Sequence, residues 1–188
     1  MKQRGWVALG LGLVFFAGPA AGLAPKIGAG AFGGASIPIV QDDNGTGPIY
    51  GIRVPVNLLQ FLTAEPYFAH TGGGEAEETF GGIGYTRSGF EINSFGLNAA
   101  IGNVGLAPAF SVFPYAGVGS YALTRDGSDD LDEFGFQVGL GVAFSPIPAL
   151  AVDARGELSV VATDRTSRKF ANITVGLTYK LFGVPGAP

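Results

Sequence analysis

Residues 132–146 read DEFGFQVGLGVAFSP, with an apolar side chain at every second position: Phe134, Phe136, Val138, Leu140, Val142 and Phe144. Between them stand Glu133, Gly135, Gln137, Gly139, Gly141, Ala143 and Ser145. A period of two is the mark of a β-strand with one oily and one wet face. The question it raises is whether the oil lines a core or covers the outside of the molecule.

Seven further segments alternate in the same way. In residues 26–40 one face carries Ile27, Ala29, Ala31, Ala35, Ile37 and Ile39; in 49–56, Tyr50, Ile52, Val54 and Val56 oppose Arg53. In 61–70, Leu62, Ala64 and Phe68 oppose Glu65. Residues 90–102 shift phase near Ser94, from Phe90 and Ile92 to Phe95, Leu97, Ala99 and Ile101, which predicts a β-bulge. In 114–123, Tyr115, Gly117, Gly119 and Tyr121 share a face. In 149–163, Leu150, Val152, Ala154, Leu158 and Val160 oppose Asp153, Arg155, Glu157 and Ser159. The last segment, 170–182, sets Ile173, Val175, Leu177, Tyr179 and Leu181 against Asn172, Thr174, Gly176, Thr178 and Lys180. Strands this long exceed the usual soluble length and match a tilted crossing of a bilayer.

The connectors also alternate. QDDNGTG, HTGGGEAEETFGGIGYTRSG, RDGSDDLD and TDRTSRK are polar and mostly long, whereas NLLQ, NVGLAP and SPIPA are short and nearly uncharged. In an up-and-down barrel every second connector lies at the same end, so one end is elaborated and the other tight, as in outer-membrane barrels.

Composition helps decide which face is oily. Hydrophobic residues make up 47% of the chain and charged ones only 14%, against about 25% in a typical soluble protein. A soluble, lipocalin-like barrel would show Lys, Glu, Thr and Arg on its wet faces. These faces instead hold Gly, Ala, Ser and Gln, which suit the crowded interior of a narrow barrel. The mid-strand charges Asp153, Arg155 and Glu157 fit the same interior if Arg53 and Glu65 join them as an interleaved, hydrogen-bonded set. The oil therefore faces outward, toward lipid.

The first 22 residues, MKQRGWVALGLGLVFFAGPAAG, have a basic start (Lys2, Arg4), a short apolar run and a small-residue exit. That layout predicts a cleavable signal peptide, residues 1–22, ahead of a barrel domain, residues 23–188. Its removal takes the formal charge from −4 to −6, by loss of Lys2 and Arg4. An acidic chain is a poor partner for nucleic acid. With no cysteine, the chain can form no disulfide in an oxidising compartment.

From these residues, and above all from the last segment TVGLTYKLF, the chain resembles the small outer-membrane β-barrel family, the eight-stranded OmpA/OmpX-like proteins of Gram-negative bacteria. The likeness covers roughly residues 23–182, and PYAGVG (residues 114–119) adds to it. The resemblance implies an eight-stranded antiparallel up-and-down transmembrane β-barrel in the outer membrane. It also implies that Thr174, Gly176, Tyr179, Leu181 and Phe182 form a carboxy-terminal signal read by the barrel assembly machinery. Members often end on the terminal aromatic, whereas this chain continues with GVPGAP.

Other motifs lead less far. GAGAFG (residues 28–33) matches a dinucleotide fingerprint in letters but lacks the strand before it and the helix after it; its glycines read as lumen-facing. His70, the sole histidine, lies beside TGGG at a loop base; Thr71 and Glu75 are nearby but nothing recommends their geometry, and it reads as a solvated loop residue rather than the base of a lipid A-modifying enzyme. No cofactor, metal site or enzymatic centre is expected. DGSDDLDE lacks the spacing of an EF-hand loop and reads as a solvated loop tip; with Asp42, Asp43, Glu75, Glu77 and Glu78 it makes the external rim acidic, which raises the hypothesis that divalent cations bridge the rim to lipopolysaccharide phosphates. EDTA should then lower the thermal stability of lipopolysaccharide-containing samples, and an unchanged melting curve would contradict the bridge.

The chain thus reads as an outer-membrane barrel with a structural or interaction role, a charged plugged lumen and acidic external loops. A narrow porin-like channel is the alternative. The candidate lumen cluster is Arg53, Glu65, Asp153, Arg155 and Glu157.

Overall fold

The computed structural model describes residues 26–39, 45–59, 61–80, 83–87, 89–102, 109–125, 131–147, 149–163 and 167–181. The expected signal peptide (residues 1–22), Phe182 and half of the expected rim acids (Asp42, Asp43, Asp126, Asp129 and Asp130) lie outside these residues. The strands are β1 (Ile27–Ile39), β2 (Gly47–Arg53), β3 (Val56–Leu59), β4 (Leu62–Thr71), β5 (Ala76–Phe80), β6 (Ile83–Arg87), β7 (Glu91–Ile101), β8 (Ala109–Thr124), β9 (Leu131–Ile147), β10 (Leu150–Ala162) and β11 (Ser167–Leu181).

Among the described residues β5 and β6 pair only with each other, as a ribbon inside the longest connector. The others form one sheet that closes on itself through β1 and β11. Because β2 and β3 follow one another along the same two neighbours, the closed sheet has eight staves. Closure leaves no unpaired edge for lipid to meet, which is what a membrane requires of a sheet.

The register sets the barrel's shape. From Val152 the ladder runs through Leu177, Ala31, Ile52, Phe68, Phe95, Ser120 and Phe134 and returns to β10 at Ala162, ten residues higher. A shear of ten over eight staves tilts the strands by about 40° and leaves an interior that side chains fill.

The oil is outside. Leu140 and Phe110 are each 64% exposed, and Phe134, Phe136, Val138, Val142 and Phe144 share their orientation. Ile173, Val175, Leu177, Tyr179 and Leu181 on β11 face the same way, while Thr174 and Thr178 face in. Phe61, Phe110, Phe144 and Tyr179 are exposed near the end that carries the short turns, where an aromatic girdle would meet the membrane interface.

Three expectations are corrected. The register of β7 with β4 and β8 runs through Ser94 without a bulge, and the irregularities fall instead near the short turns, in β3–β4 and β9–β10. Phe90 and Ile92 simply face inward, joining Tyr121, Leu123, Val161 and Phe170 in an apolar layer at the external end of the lumen. Burial there rewards apolar residues on the inner face, so the oil changes side without any change of register. In GAGAFG, Gly28 and Gly30 lie against Thr178 in the lumen, but Gly33 alternates onto the outer face with Ala31 and Ala35. His70 is not in a loop; it belongs to β4, with its Nδ1 2.9 Å from Asn93 Oδ1 and its ring centroid 5.1 Å from that of Tyr50.

Candidate functional site

The glycines of the inner face make room for rings. A Cβ on Gly141 would strike the ring of Phe113, one on Gly139 the ring of Tyr115, and one on Gly135 the ring of Tyr121. Phe113 and Gly141, like Tyr115 and Gly139, are direct cross-strand partners of β8 and β9. Each ring lies against a neighbouring stave that has no side chain at that point. The glycine-rich pattern of β9 and the aromatics of β8 are therefore two halves of one packing scheme.

Against this lining sit the charges. Arg53 Nη2 donates to Asp153 Oδ2 at 2.5 Å. Arg155 donates through Nε to Asp153 Oδ1 at 3.0 Å, and through Nη1 and Nη2 to the two oxygens of Glu65 at 2.6 and 2.8 Å. The result is a chain Arg53–Asp153–Arg155–Glu65 in which positive and negative alternate and the sum is zero. All four side chains are almost completely buried. The fork of Arg155 grips Glu65 with two parallel bonds, the strongest geometry such a pair has. Rings complete the setting: Arg53 lies 5.1 Å from the Phe32 centroid, and Arg155 lies 5.1 Å from Phe113 and 5.3 Å from Tyr115.

Glu157 stands apart from the four. It accepts from Tyr115 Oη at 2.9 Å, Ser159 Oγ at 2.8 Å and Asn172 Nδ2 at 2.9 Å, all neutral donors. A second neutral network, not foreseen from the sequence, centres on Gln137. Its Oε1 accepts from Tyr67 at 3.2 Å and Tyr121 at 3.0 Å, and its Nε2 donates to Asn98 Oδ1 at 2.5 Å. Gln137 was visible as a lone amide among glycines; what it would bond was not, because its partners come from three other staves.

Apolar side chains flank the polar middle on both sides: the layer around Phe90 and Leu123, and Ala100, Phe113, Tyr115 and Ala143 toward the short turns. Phe90 carries the guanidinium groups of Arg125 and Arg168 at 4.1 and 4.2 Å from its centroid. A cavity of about 50 Å³ in the lumen is lined by Arg53, Tyr67, Gln137, Arg155, Glu157 and Asn172 among others. Arg53 Nε and Asn172 Oδ1 are buried with no protein partner among the described residues, and a few waters in that cavity would satisfy them. No group of three or more His, Cys, Asp or Glu side chains stands close enough to hold a metal among the described residues.

A closed barrel with an oily outside and a polar inside belongs in a membrane, and the family described as "Outer membrane protein beta-barrel domain" matches residues 7–180. The chain belongs to that family. Among solved structures, this outer-membrane β-barrel protein is similar in fold to the N-terminal β-barrel domain of Pseudomonas aeruginosa OprF, with a TM-score of 0.54 at 13% identity over 82% of this chain and 97% of that one. It is similar to Neisserial surface protein A, with a TM-score of 0.53 at 16% identity, covering 85% and 98%. A major outer membrane protein from Thermus thermophilus gives a TM-score of 0.52 at 12% identity, covering 85% and 100%. At such identities the likeness is one of fold. Among curated proteins none matches the sequence. The outer membrane is where this barrel resides, crossing it with strands.

Proposed function

We propose that this outer-membrane barrel is closed to solutes and serves a structural or interaction role through its external connectors. The observation that supports this most directly is the neutral chain Arg53–Asp153–Arg155–Glu65 across the lumen. A solute would have to part Arg155 from two carboxylates, in surroundings where an unpaired charge is costly. It would then meet an apolar layer on either side.

Within the same proposal, the acidic rim is the face that meets lipopolysaccharide, through bridging divalent cations. Thr174, Gly176, Tyr179, Leu181 and Phe182 address the barrel assembly machinery. A lipid A-modifying reading is weakened by the surroundings of His70, which packs at a tilt against Tyr50 and pairs with the amide of Asn93 rather than with an acid or nucleophile.

The porin-like alternative uses the same charges as a gate. Planar-bilayer conductance of residues 23–188, beside Arg155→Ala, separates the two. The expected result is a folded barrel without reproducible channels in the unsubstituted protein. Stable channels whose selectivity changes in Arg155→Ala would establish a gate instead.

A further inference from the structure

We propose that the ion-pair chain is a strap, tying down a place in the barrel wall where two prolines remove ladder hydrogen bonds. Between β2 and β3 the wall falters at Val54 and Pro55, yet the register resumes unchanged: Arg53 faces Tyr67 before the gap and Val56 faces Ala64 after it. Val54 N–H donates to Pro66 O at 3.0 Å, but Pro66 has no N–H to return. On the other flank Gly28 N–H donates to Pro55 O at 2.8 Å, and Pro55 likewise has none to return. Two adjacent residues thus each forfeit a bond, one toward β4 and one toward β1. Pro38 and Pro114, by contrast, lie in uninterrupted registers opposite Phe170 and Leu140. Within a bilayer no water replaces a missing backbone donor, so this is where the wall opens most readily.

The charges straddle that place. Arg53 is the residue just before the gap on one stave, and Glu65 precedes Pro66 on the next. Both are tied to β10, which stands four staves from β4 in either direction around the barrel. Arg53 reaches Asp153 and Glu65 is held by Arg155; Arg155 also bonds Asp153, so the two arms share one anchorage. Parting the staves at the gap would stretch both arms. Nothing in this depends on whether the lumen conducts, so conductance tests the plug and local opening tests the strap.

The experiment is amide hydrogen exchange by NMR on the refolded barrel in detergent micelles, with Arg53→Met/Asp153→Asn removing one arm at unchanged net charge. The amides of Gly28, Val54 and Val56 should exchange faster by on the order of tenfold, with those of Leu140 and Val142 in β9 unchanged. Adding Pro66→Val, at an outward-facing position, returns a donor opposite Val54 O and should cancel most of that acceleration. Equal acceleration in β9, or acceleration at Val54 and Val56 undiminished by Pro66→Val, would overturn the strap. If the arm-less variant does not fold, Pro66→Val should restore its folded yield, and failure to do so overturns the strap equally.

Discussion

Arg155→Met is expected to destabilise the barrel by about 3–5 kcal/mol, because it strands Glu65 as an unpaired charge in the lumen. Glu65 is only 1% exposed, and its two oxygens take both terminal nitrogens of Arg155. Methionine keeps much of the side-chain volume, so the loss is electrostatic rather than a cavity. The double variant Arg155→Met/Glu65→Met removes the stranded charge and leaves Arg53–Asp153 as a neutral pair. It should therefore be more stable than the single variant, by a coupling of a few kcal/mol. The sole tryptophan, Trp6, lies outside residues 23–188, so unfolding of that span in urea is best followed by far-ultraviolet circular dichroism in lipid vesicles. A double variant no more stable than Arg155→Met would show that Glu65 does not need its partner.

Phe113→Ala is expected to cost about 3–5 kcal/mol by the same measurement, the usual loss for a fully buried ring. Phe113 is 0% exposed and rests over Gly141, while its other neighbours include the Arg155 guanidinium. Gly141→Leu alone drives a side chain into that ring and should cost about 1–3 kcal/mol by overpacking. Combined, the two substitutions trade places: the leucine enters the volume the ring has left, and the pair should be more stable than Phe113→Ala. Simple additivity of the two losses would mean that ring and glycine do not share one space.

Much of the site was legible in the sequence. Arg53, Glu65, Asp153, Arg155 and Glu157 share the wet side of their strands in the written sequence, and all five face the lumen. Their division into a four-membered ion chain and a separate Glu157 was not legible. It depends on which staves stand opposite one another and at what height. Arg155 meets a carboxylate 90 positions away, while Glu157, two residues along the same strand, meets neutral donors among the described residues. Phe90 and Ile92 mislead for a related reason. A period-two pattern assumes that the oil keeps to one face, and a barrel with an apolar layer on its inner face breaks that assumption without bending the strand.

By itself the sequence determined the eight staves, the inner and outer faces of most of them and the two unequal ends of the barrel. Each of these is encoded within a dozen residues, by side-chain alternation and connector chemistry, and the scarcity of charge sent the oily face outward. Only the tertiary structure decided the shear, the aromatic rings laid over glycines, the order of the ion pairs and the coincidence of Pro55 and Pro66 in one place in the wall. Those features are set by register around a closed ring. Register is a property of all eight staves together, so no local stretch of the chain can state it.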